Sequence, residues 1–299
     1  MPFASANGMT LAYDARGDAA APAIVLVMGL GTQMVAWPEP FCDALAARGF
    51  RVIRFDNRDI GLSSKVEAGG PVDLGQAMQR LMAGQPIEPP YTLTDMAQDA
   101  VGLMDALAID RAHVVGASMG GMIAQLVAAG HPDRVRSLVS IMSTSGAPGL
   151  PQATPAAGAA LLGPRPPEGD REAAIRHGMK VLQAIGSPGY PMSDAELRGR
   201  VELAFDRAYY PAGVGRHFLA VLADGSRVER LGRIQAPTLV LHGADDPLVP
   251  VQCGQDTAAR IPGAELRILP GWGHDLPAAL LPTLVEAIAD HCRRADGRA

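Results

Sequence analysis

Short apolar runs alternate with helical patterns along most of this chain, and no other feature limits its possible folds as strongly. The first run, residues 23–28 (AIVLVM), is bounded by Pro22 and Gly29. A continuous apolar run of this length is typical of a strand buried on both faces of a parallel sheet. Helices between such strands imply right-handed crossovers, so we predict an α/β fold with a mostly parallel, twisted sheet flanked by helices. Further strands are predicted at residues 51–55, 113–115, 136–142, 238–241 and 266–269, with helices at 41–48, 94–107, 119–129, 253–260 and 276–292.

The strand pattern stops between residues 145 and 233. A Pro/Gly/Ala-rich stretch at 146–169 predicts a loop. We therefore predict a core built from residues 1–144 and 234–299, interrupted by a helical insertion at 145–233. Within the core, residues 9–13 are predicted to join an antiparallel edge hairpin, and residues 64–91 form a second break. Helical patterns in the two breaks lie at 73–83, 171–184, 193–208 and 213–222.

Composition excludes several classes of protein. The 26 basic and 31 acidic residues give a net charge of −5, which disfavours binding to nucleic acid. The three cysteines, Cys42, Cys253 and Cys292, are too far apart to suggest a disulfide framework or a zinc cluster. We find no signal-peptide pattern and no apolar run long enough to span a membrane, so we expect a cytoplasmic protein with no membrane partner.

Residues 116–120 (GASMG) follow a predicted strand and open a predicted helix. They match the pattern G-x-S-x-G, whose glycines remove side chains that would clash in a sharp strand-to-helix turn. Such a turn would raise the Ser118 hydroxyl above the carboxyl edge of the sheet, beside a helix N-terminus that favours negative charge. We predict that Ser118 is a nucleophile, and the alternative is a plain helix N-cap.

A serine hydroxyl needs a base that accepts its proton. His274 lies on a glycine-flanked loop, residues 271–275 (GWGHD), directly after the last predicted strand. Such a loop can carry an imidazole over the sheet edge, so we predict that His274 is the base. The other histidines are predicted to have structural positions at strand ends, in a turn or in helical patterns: His113, His131, His177, His217, His242 and His291.

The imidazole in turn needs a carboxylate that fixes its tautomer and stabilises its charged form. Asp245 and Asp246 both follow the strand predicted at 238–241, and both are candidates. Asp246 lies one residue further into the turn than Asp245, which suits a carboxylate that faces inward. Asp245 would then bond to N–H groups of the turn. No acidic residue lies near the end of the preceding strand, at 141–145 (IMSTS), which removes that position.

The order Ser118, Asp246, His274, with each residue after a predicted strand, resembles the α/β-hydrolase fold superfamily. The family pattern G-x-x-D, here GADD at 243–246, places the acid at Asp246. The segments VMGLG, FDNRDIGLS and GWGHDLP are most similar to those of bacterial esterases near the aclacinomycin methylesterases. The resemblance covers nearly the whole chain and is weakest at 145–233. It implies that this helical insertion forms a cap over the edge of the sheet that carries Ser118.

By the same resemblance, the backbone N–H groups of Leu30 and Met119 form the oxyanion hole. Met28 stands where many relatives carry histidine, and we expect its side chain to be an ordinary core residue because the oxyanion hole uses the main chain. This chemistry needs no metal ion and no organic cofactor.

Two groups of side chains allow two interpretations each. Arg58 could bind a substrate carboxylate, but we favour a structural role in which Asp56, Arg58 and Asp59 bond to loop backbones and hold the oxyanion loop. The aromatic residues of the insertion could line a substrate pocket or pack the cap: Tyr190, Phe205, Tyr209, Tyr210 and Phe218.

Four methionines near strand ends would form an adaptable apolar wall: Met34, Met119, Met122 and Met142.

Together these features predict a serine hydrolase that cleaves small to medium apolar carboxylic esters through an acyl-enzyme. The same three residues could instead serve hydrolysis of a carbon–carbon bond, lactone or thioester, or perhydrolysis. A ligand-binding protein without catalysis on the same fold is a further alternative.

Overall fold

A computed structural model of the chain describes residues 1–67, 72–163, 166 and 169–297. Eight strands in these ranges form one sheet. The predicted apolar runs are strands, and the first of them is completely buried, as expected for the centre of a parallel sheet. The strands are β1 (Phe3–Ala6), β2 (Met9–Arg16), β3 (Ala23–Val27), β4 (Arg51–Phe55), β5 (Ala112–Ala117), β6 (Val135–Ile141), β7 (Thr238–Gly243) and β8 (Glu265–Leu269).

The sheet has the order β1-β2-β4-β3-β5-β6-β7-β8. The β1–β2 and β2–β4 pairs are antiparallel, and all later pairs are parallel. The predicted edge hairpin is therefore present, with residues 9–13 in β2. Strand β3 pairs with β4 on one side and with β5 on the other. The crevice between the carboxyl ends of β3 and β5 is thus a topological switch point, where open α/β sheets bind ligands.

Helices cover both faces of the sheet. Helices α3 (Leu93–Ala106) and α4 (Met119–Gly130) pack in one apolar core, whereas α1 (Glu39–Ala46) and α11 (Leu281–Ala295) pack in the other. No helix in the described ranges is both long enough and apolar enough to cross a membrane. The core helices are α1 (Glu39–Ala46), α2 (Leu74–Met82), α3 (Leu93–Ala106), α4 (Met119–Gly130), α10 (Val251–Arg260) and α11 (Leu281–Ala295).

Between β6 and β7 the described residues form helices and connecting segments without a strand. The expected loop at 146–169 is wrong at helix α5 (Pro155–Leu162), because the Thr154 side chain accepts the N–H of Ala157 as an N-cap and Pro155 occupies the first turn. Residues 164, 165, 167 and 168 of that loop, and residues 68–71 and 298–299, lie outside the described residues. The helices of this insertion are α5 (Pro155–Leu162), α6 (Arg171–Ile185), α7 (Asp194–Arg207), α8 (Pro211–Asp224) and α9 (Val228–Leu231).

Candidate active site

Ser118 lies at the sharp turn between β5 and α4. Its φ of 56° and ψ of −121° belong to the region that side chains rarely adopt. The turn is held from both sides, since the Ser118 N–H donates to Ile141 O at 2.9 Å and Ser143 Oγ donates to Ser118 O at 2.8 Å. Although Ser118 precedes α4, its hydroxyl makes no capping hydrogen bond. The half-buried side chain is therefore not explained by the N-cap role.

Two glycines make this turn possible. A Cβ at position 116 would lie 2.0 Å from Gly120 O, and one at position 120 would lie 2.1 Å from Val27 O. Both distances are far inside van der Waals contact, so the packing of strand, turn and helix requires glycine at these positions.

Asp246 and His274 lie together at the same edge of the sheet, after β7 and β8. His274 Nδ1 donates to Asp246 Oδ2 at 2.7 Å. The other oxygen of this carboxylate accepts the N–H groups of Leu248 and Val249 at 2.9 and 2.8 Å. The fully buried carboxylate is therefore fixed in orientation, and it fixes the imidazole with Nε2 as the free nitrogen.

Asp245, the other candidate acid, is exposed. Its Oδ2 accepts the N–H of Gly271 at 2.7 Å, which ties the loop after β7 to the loop after β8. Asp245 thus has a turn role close to the one expected from the sequence. In the part of the chain that the structure describes, no hydrogen bond joins Ser118 Oγ to His274. Such bonds are often long in hydrolases without substrate.

A second imidazole lies beneath this pair. His242 Nε2 donates to Val249 O at 2.8 Å and lies 3.7 Å from Asp246 Oδ2. Burial lowers the pKa of His242, so its ring is neutral and adds no positive charge next to the carboxylate. This agrees with the structural position expected from its place at a strand end.

The predicted oxyanion loop passes over the serine. A Cβ at Gly29 would lie 3.1 Å from Ser118 Cβ, so this loop and the elbow are in direct contact. Thr32 N–H donates to Gly29 O at 3.3 Å and closes a turn in which the N–H of Leu30 is not used. Met119 is the first residue of α4, so its N–H has no partner within the helix. The turn does not use the Leu30 N–H, and α4 does not use the Met119 N–H.

The insertion supports the histidine loop through contacts that sequence reasoning missed. The N–H of His274 donates to Ile185 O at 2.7 Å, and the N–H of Gly189 donates to Gly271 O at 2.8 Å. Ser187 Oγ accepts the N–H of Gly273 at 2.9 Å and donates to Asp275 Oδ1. Burial raises the pKa of the Asp275 carboxyl. No local pattern identifies Ser187, because its partners lie 86 and 88 residues away.

Arg58 pairs with a partner outside its own segment. Its Nε and one terminal nitrogen each lie 2.6 Å from an oxygen of Asp99 in α3, and both side chains are buried. Asp56 accepts the N–H of Met34, after the oxyanion loop, at 2.8 Å. Asp59 accepts the N–H of Val66 at 2.6 Å. Asp56 and Asp59 thus bond to loop backbones as expected, whereas Arg58 pairs with the Asp99 side chain of α3 in place of the expected loop backbone.

Several aromatic residues of the insertion have packing partners. Phe205 and Tyr209 have ring centroids 4.6 Å apart, and Tyr210 accepts a hydrogen bond from Arg216 at 2.9 Å. Tyr190 packs against the core cluster on one face of the sheet, whereas Phe218 is half-buried. Met28 is a buried core residue, as expected. The four methionines of the predicted apolar wall are likewise buried: Met34, Met119, Met122 and Met142.

The described residues hold no group of three or more His, Cys, Asp or Glu side chains arranged to bind a metal ion. The carboxyl ends of the strands carry a serine hydroxyl after β5 and an imidazole bonded to a carboxylate after β8 and β7.

Comparison with known proteins agrees with this architecture. A family model described as alpha/beta hydrolase fold matches residues 22–167. A putative carbamate hydrolase of Variovorax paradoxus is 33% identical over 280 residues, covering 89% of this chain and 90% of the relative. A rhodomycin D methylesterase of a Streptomyces species is 29% identical over 304 residues, covering 96% of each chain. A solved meta-cleavage product hydrolase of Pseudomonas fluorescens has a TM-score of 0.77 at 20% identity, covering 99% of this chain and 98% of that one.

The chain belongs to the α/β-hydrolase fold family. It is a hydrolase with an eight-stranded, mostly parallel sheet, and its similarity to the methylesterase extends over the full length of both chains.

Proposed function

We propose that this hydrolase cleaves small to medium apolar carboxylic esters, with Ser118, His274 and Asp246 as its catalytic residues. The observation that carries the proposal is the 2.7 Å hydrogen bond from His274 to Asp246 at the sheet edge where Ser118 occupies a strained turn. Full-length similarity to a methylesterase supports the ester as the substrate class.

In the first half of the reaction, Nε2 of His274 accepts the hydroxyl proton of Ser118 while Oγ attacks the ester carbonyl carbon. The buried Asp246 stabilises the imidazolium that forms. The carbonyl oxygen becomes an oxyanion and accepts hydrogen bonds from the main-chain N–H groups of Leu30 and Met119. The tetrahedral intermediate then collapses. Its C–O bond to the alcohol breaks, and His274 returns the proton to the departing alkoxide.

The second half of the reaction frees the enzyme. His274 accepts a proton from water, whose oxygen attacks the acyl carbon of the Ser118 ester. Collapse of this second intermediate breaks the bond to Oγ, and His274 gives the proton back to the serine. The products are a carboxylic acid and an alcohol, and no cofactor takes part.

We also propose that residues 145–233 act as the cap of the 1–144 and 234–299 core. The contacts of Ile185 and Ser187 with the histidine loop support a position across the site. The three free, buried cysteines support a reducing compartment such as the cytoplasm. The substrate is then a small molecule held between cap and sheet edge.

Hydrolysis of a carbon–carbon bond is the second candidate, supported by 28% identity over 264 residues to a 2-hydroxy-6-oxononadienedioate/2-hydroxy-6-oxononatrienedioate hydrolase of Cupriavidus pinatubonensis. The same Ser118, His274 and Asp246 would be used. The two reactions differ in the bond next to the attacked carbonyl, so a substrate panel separates them.

Labelling with a fluorophosphonate probe tests the nucleophile. We expect covalent labelling of Ser118 in the wild-type protein, none in Ser118→Ala, and normal labelling in the control Ser5→Ala, which changes an exposed serine on β1. Labelling at another residue, or ester turnover by Ser118→Ala at the wild-type rate, would contradict the proposal.

The substrate panel consists of p-nitrophenyl esters of increasing acyl length, methyl esters of bulky aromatic acids, and a 2-hydroxy-6-oxo-dienoate. We expect kcat/KM for the best ester to exceed that for the dienoate by at least about 100-fold, a difference of about 3 kcal/mol in transition-state binding. The opposite order would favour the carbon–carbon hydrolase.

A further inference from the structure

His217, a residue of cap helix α8, reaches into the core and touches both loops that surround the oxyanion hole. Its side chain is completely buried. The N–H of Gly31 donates to Nδ1 of His217 at 3.2 Å, and Nε2 lies 2.8 Å from Arg58 O. The cap is thus bonded through one imidazole to the loop after β3 and to the loop after β4.

The two partners define the tautomer of His217. A backbone N–H can only donate, so Nδ1 must be the unprotonated acceptor. A carbonyl oxygen can only accept, so Nε2 carries the hydrogen and donates to Arg58 O. Both nitrogens are satisfied only in this neutral form. Burial, which lowers the pKa of His217 to about 4, keeps the ring in this form across the neutral range.

The bond to Gly31 acts on the peptide group that follows the predicted oxyanion donor. Leu30 and Gly31 are the central residues of the turn closed by Thr32 and Gly29, and Gly31 has a φ of +65°. The plane of the central peptide is the part of such a turn that rotates most readily between turn types. A fixed acceptor on the Gly31 N–H therefore restrains the rotation of the loop that presents the N–H of Leu30.

The rest of α8 holds the imidazole in place. A Cβ at Gly31 would lie 2.7 Å from Val214 Cγ1, so the helix and the loop are in close contact. On the residue before His217, Arg216 Nε donates to Asp59 Oδ2 at 2.7 Å in a buried ion pair. Position 217 is consequently a rigid point of the cap relative to the core.

We propose that His217 is a positioning residue, through which the cap holds the Leu30–Gly31 turn in the conformation that stabilises the oxyanion. This inference rests on the proposed function, with Leu30 N–H as one oxyanion donor. It makes the cap a part of the catalytic framework in addition to a cover for the substrate. If His217 is removed, we expect weaker stabilisation of the transition state and unchanged binding of the ester in the ground state.

Removal of a whole oxyanion donor costs roughly 100- to 1000-fold in kcat. Loss of the restraint leaves the donor present but less well oriented, so we expect a smaller effect. For His217→Leu we expect kcat to fall about 10- to 100-fold with KM within about 3-fold of wild type.

Three substitutions at position 217 separate positioning from packing. Asn places a side-chain oxygen near the position of Nδ1 and can accept the Gly31 N–H, whereas Gln places its amide near Nε2 and retains the Arg58 contact. Leu offers neither contact. We expect kcat of His217→Asn to stay within about 5-fold of wild type. We expect kcat of His217→Gln to fall as far as that of His217→Leu. The control is His131→Asn, at a half-buried turn after α4.

The measurements are kcat and KM on the best ester, inhibition by phenylboronic acid, which forms a tetrahedral adduct with serine, and the melting temperature. We expect boronate affinity to fall in proportion to kcat across the series. A kcat that follows melting temperature, with Asn no better than Gln, would overturn the inference. A His217→Leu variant with the kcat of the wild type would also overturn it. In either case the proposed function would still stand if the wild-type protein is labelled at Ser118 and hydrolyses the ester. A wild-type protein without labelling or ester turnover would overturn both.

Discussion

His274 donates to Asp246 at 2.7 Å although 28 residues separate them along the chain. The bond forms because β7 and β8 are parallel neighbours, so the loops at their carboxyl ends leave the sheet side by side. Asp246 is fixed by two further main-chain N–H groups, whereas Asp245 is exposed and accepts the N–H of Gly271. Two adjacent aspartates therefore have different tasks, one on the imidazole and one on the loop.

This division predicts different effects for the two amide substitutions. Asp246→Asn retains the shape of the site but cannot hold the imidazole in the required tautomer, so we expect kcat to fall roughly 1000- to 10,000-fold. Asp245→Asn should lower kcat less than about 10-fold, because it weakens a loop contact only. Steady-state kinetics on the best ester compares the two directly. Equal losses, or a larger loss for Asp245→Asn, would reassign the acid.

The glycines of the elbow should be indispensable for packing. A Cβ at Gly116 would collide with Gly120 O, so we expect Gly116→Ala to lower the free energy of unfolding by more than about 3 kcal/mol or to prevent folding. Gly158, in the interior of α5, has no atom within 4 Å of an added Cβ. Gly158→Ala should therefore stabilise the protein by about 0.5–1 kcal/mol. Urea unfolding measures both, and a tolerated alanine at 116 would contradict the close packing of strand against helix at the elbow.

Arg58 should behave as a structural residue. Arg58→Met leaves the carboxylate of Asp99 buried with Asn7 as its remaining side-chain donor, so we expect a loss of about 3–5 kcal/mol in unfolding free energy. The double variant Arg58→Met/Asp99→Leu should recover part of that loss, because it removes the unpaired charge. The ratio of kcat/KM for a neutral ester to that for one bearing a carboxylate should be unchanged by Arg58→Met. A selective loss for the carboxylate-bearing ester would restore the substrate-binding interpretation.

Stability should fall in mild acid because several histidines, among them His113 and His217, are buried in their neutral form. Burial lowers the pKa of both His113 and His217 to about 4, against about 6.5 in an unfolded chain. Between these values the unfolded state binds more protons, so the folded state loses stability as pH falls from about 6.5 towards 4. Each histidine should contribute about 2 kcal/mol of this loss by pH 5.

The matched variant for this effect is His113→Gln, which removes one of these buried imidazoles and leaves the loop around Leu30 untouched. His113 Nδ1 lies 2.9 Å from Ser137 Oγ, so the variant should be less stable than wild type at pH 7.5. Between pH 7.5 and 5 it should lose about 2 kcal/mol less than wild type. Urea midpoints at the two pH values give the comparison, and parallel losses in both proteins would show that His113 is protonated in the fold.

The local signals of the sequence were sufficient for the core of this protein. Apolar runs with glycine or proline boundaries define strands because burial on two faces leaves no place for polar residues. The elbow could be predicted because its sharp turn needs glycines beside Ser118. In contrast, α5 was not predicted, since its Thr-Pro start was outweighed by surrounding glycine and proline.

The chain sequence by itself determined the core strands, the mostly parallel character of their sheet and the order in which Ser118, Asp246 and His274 follow their strands, because local patterns of neighbouring residues mark each of them. Only the tertiary structure decided that Arg58 pairs with Asp99, that Ser187 supports the histidine loop, and that His217 reaches Gly31 from 186 residues away. Contacts of this kind depend on how distant segments pack together, and no spacing along the chain encodes which side chains then meet.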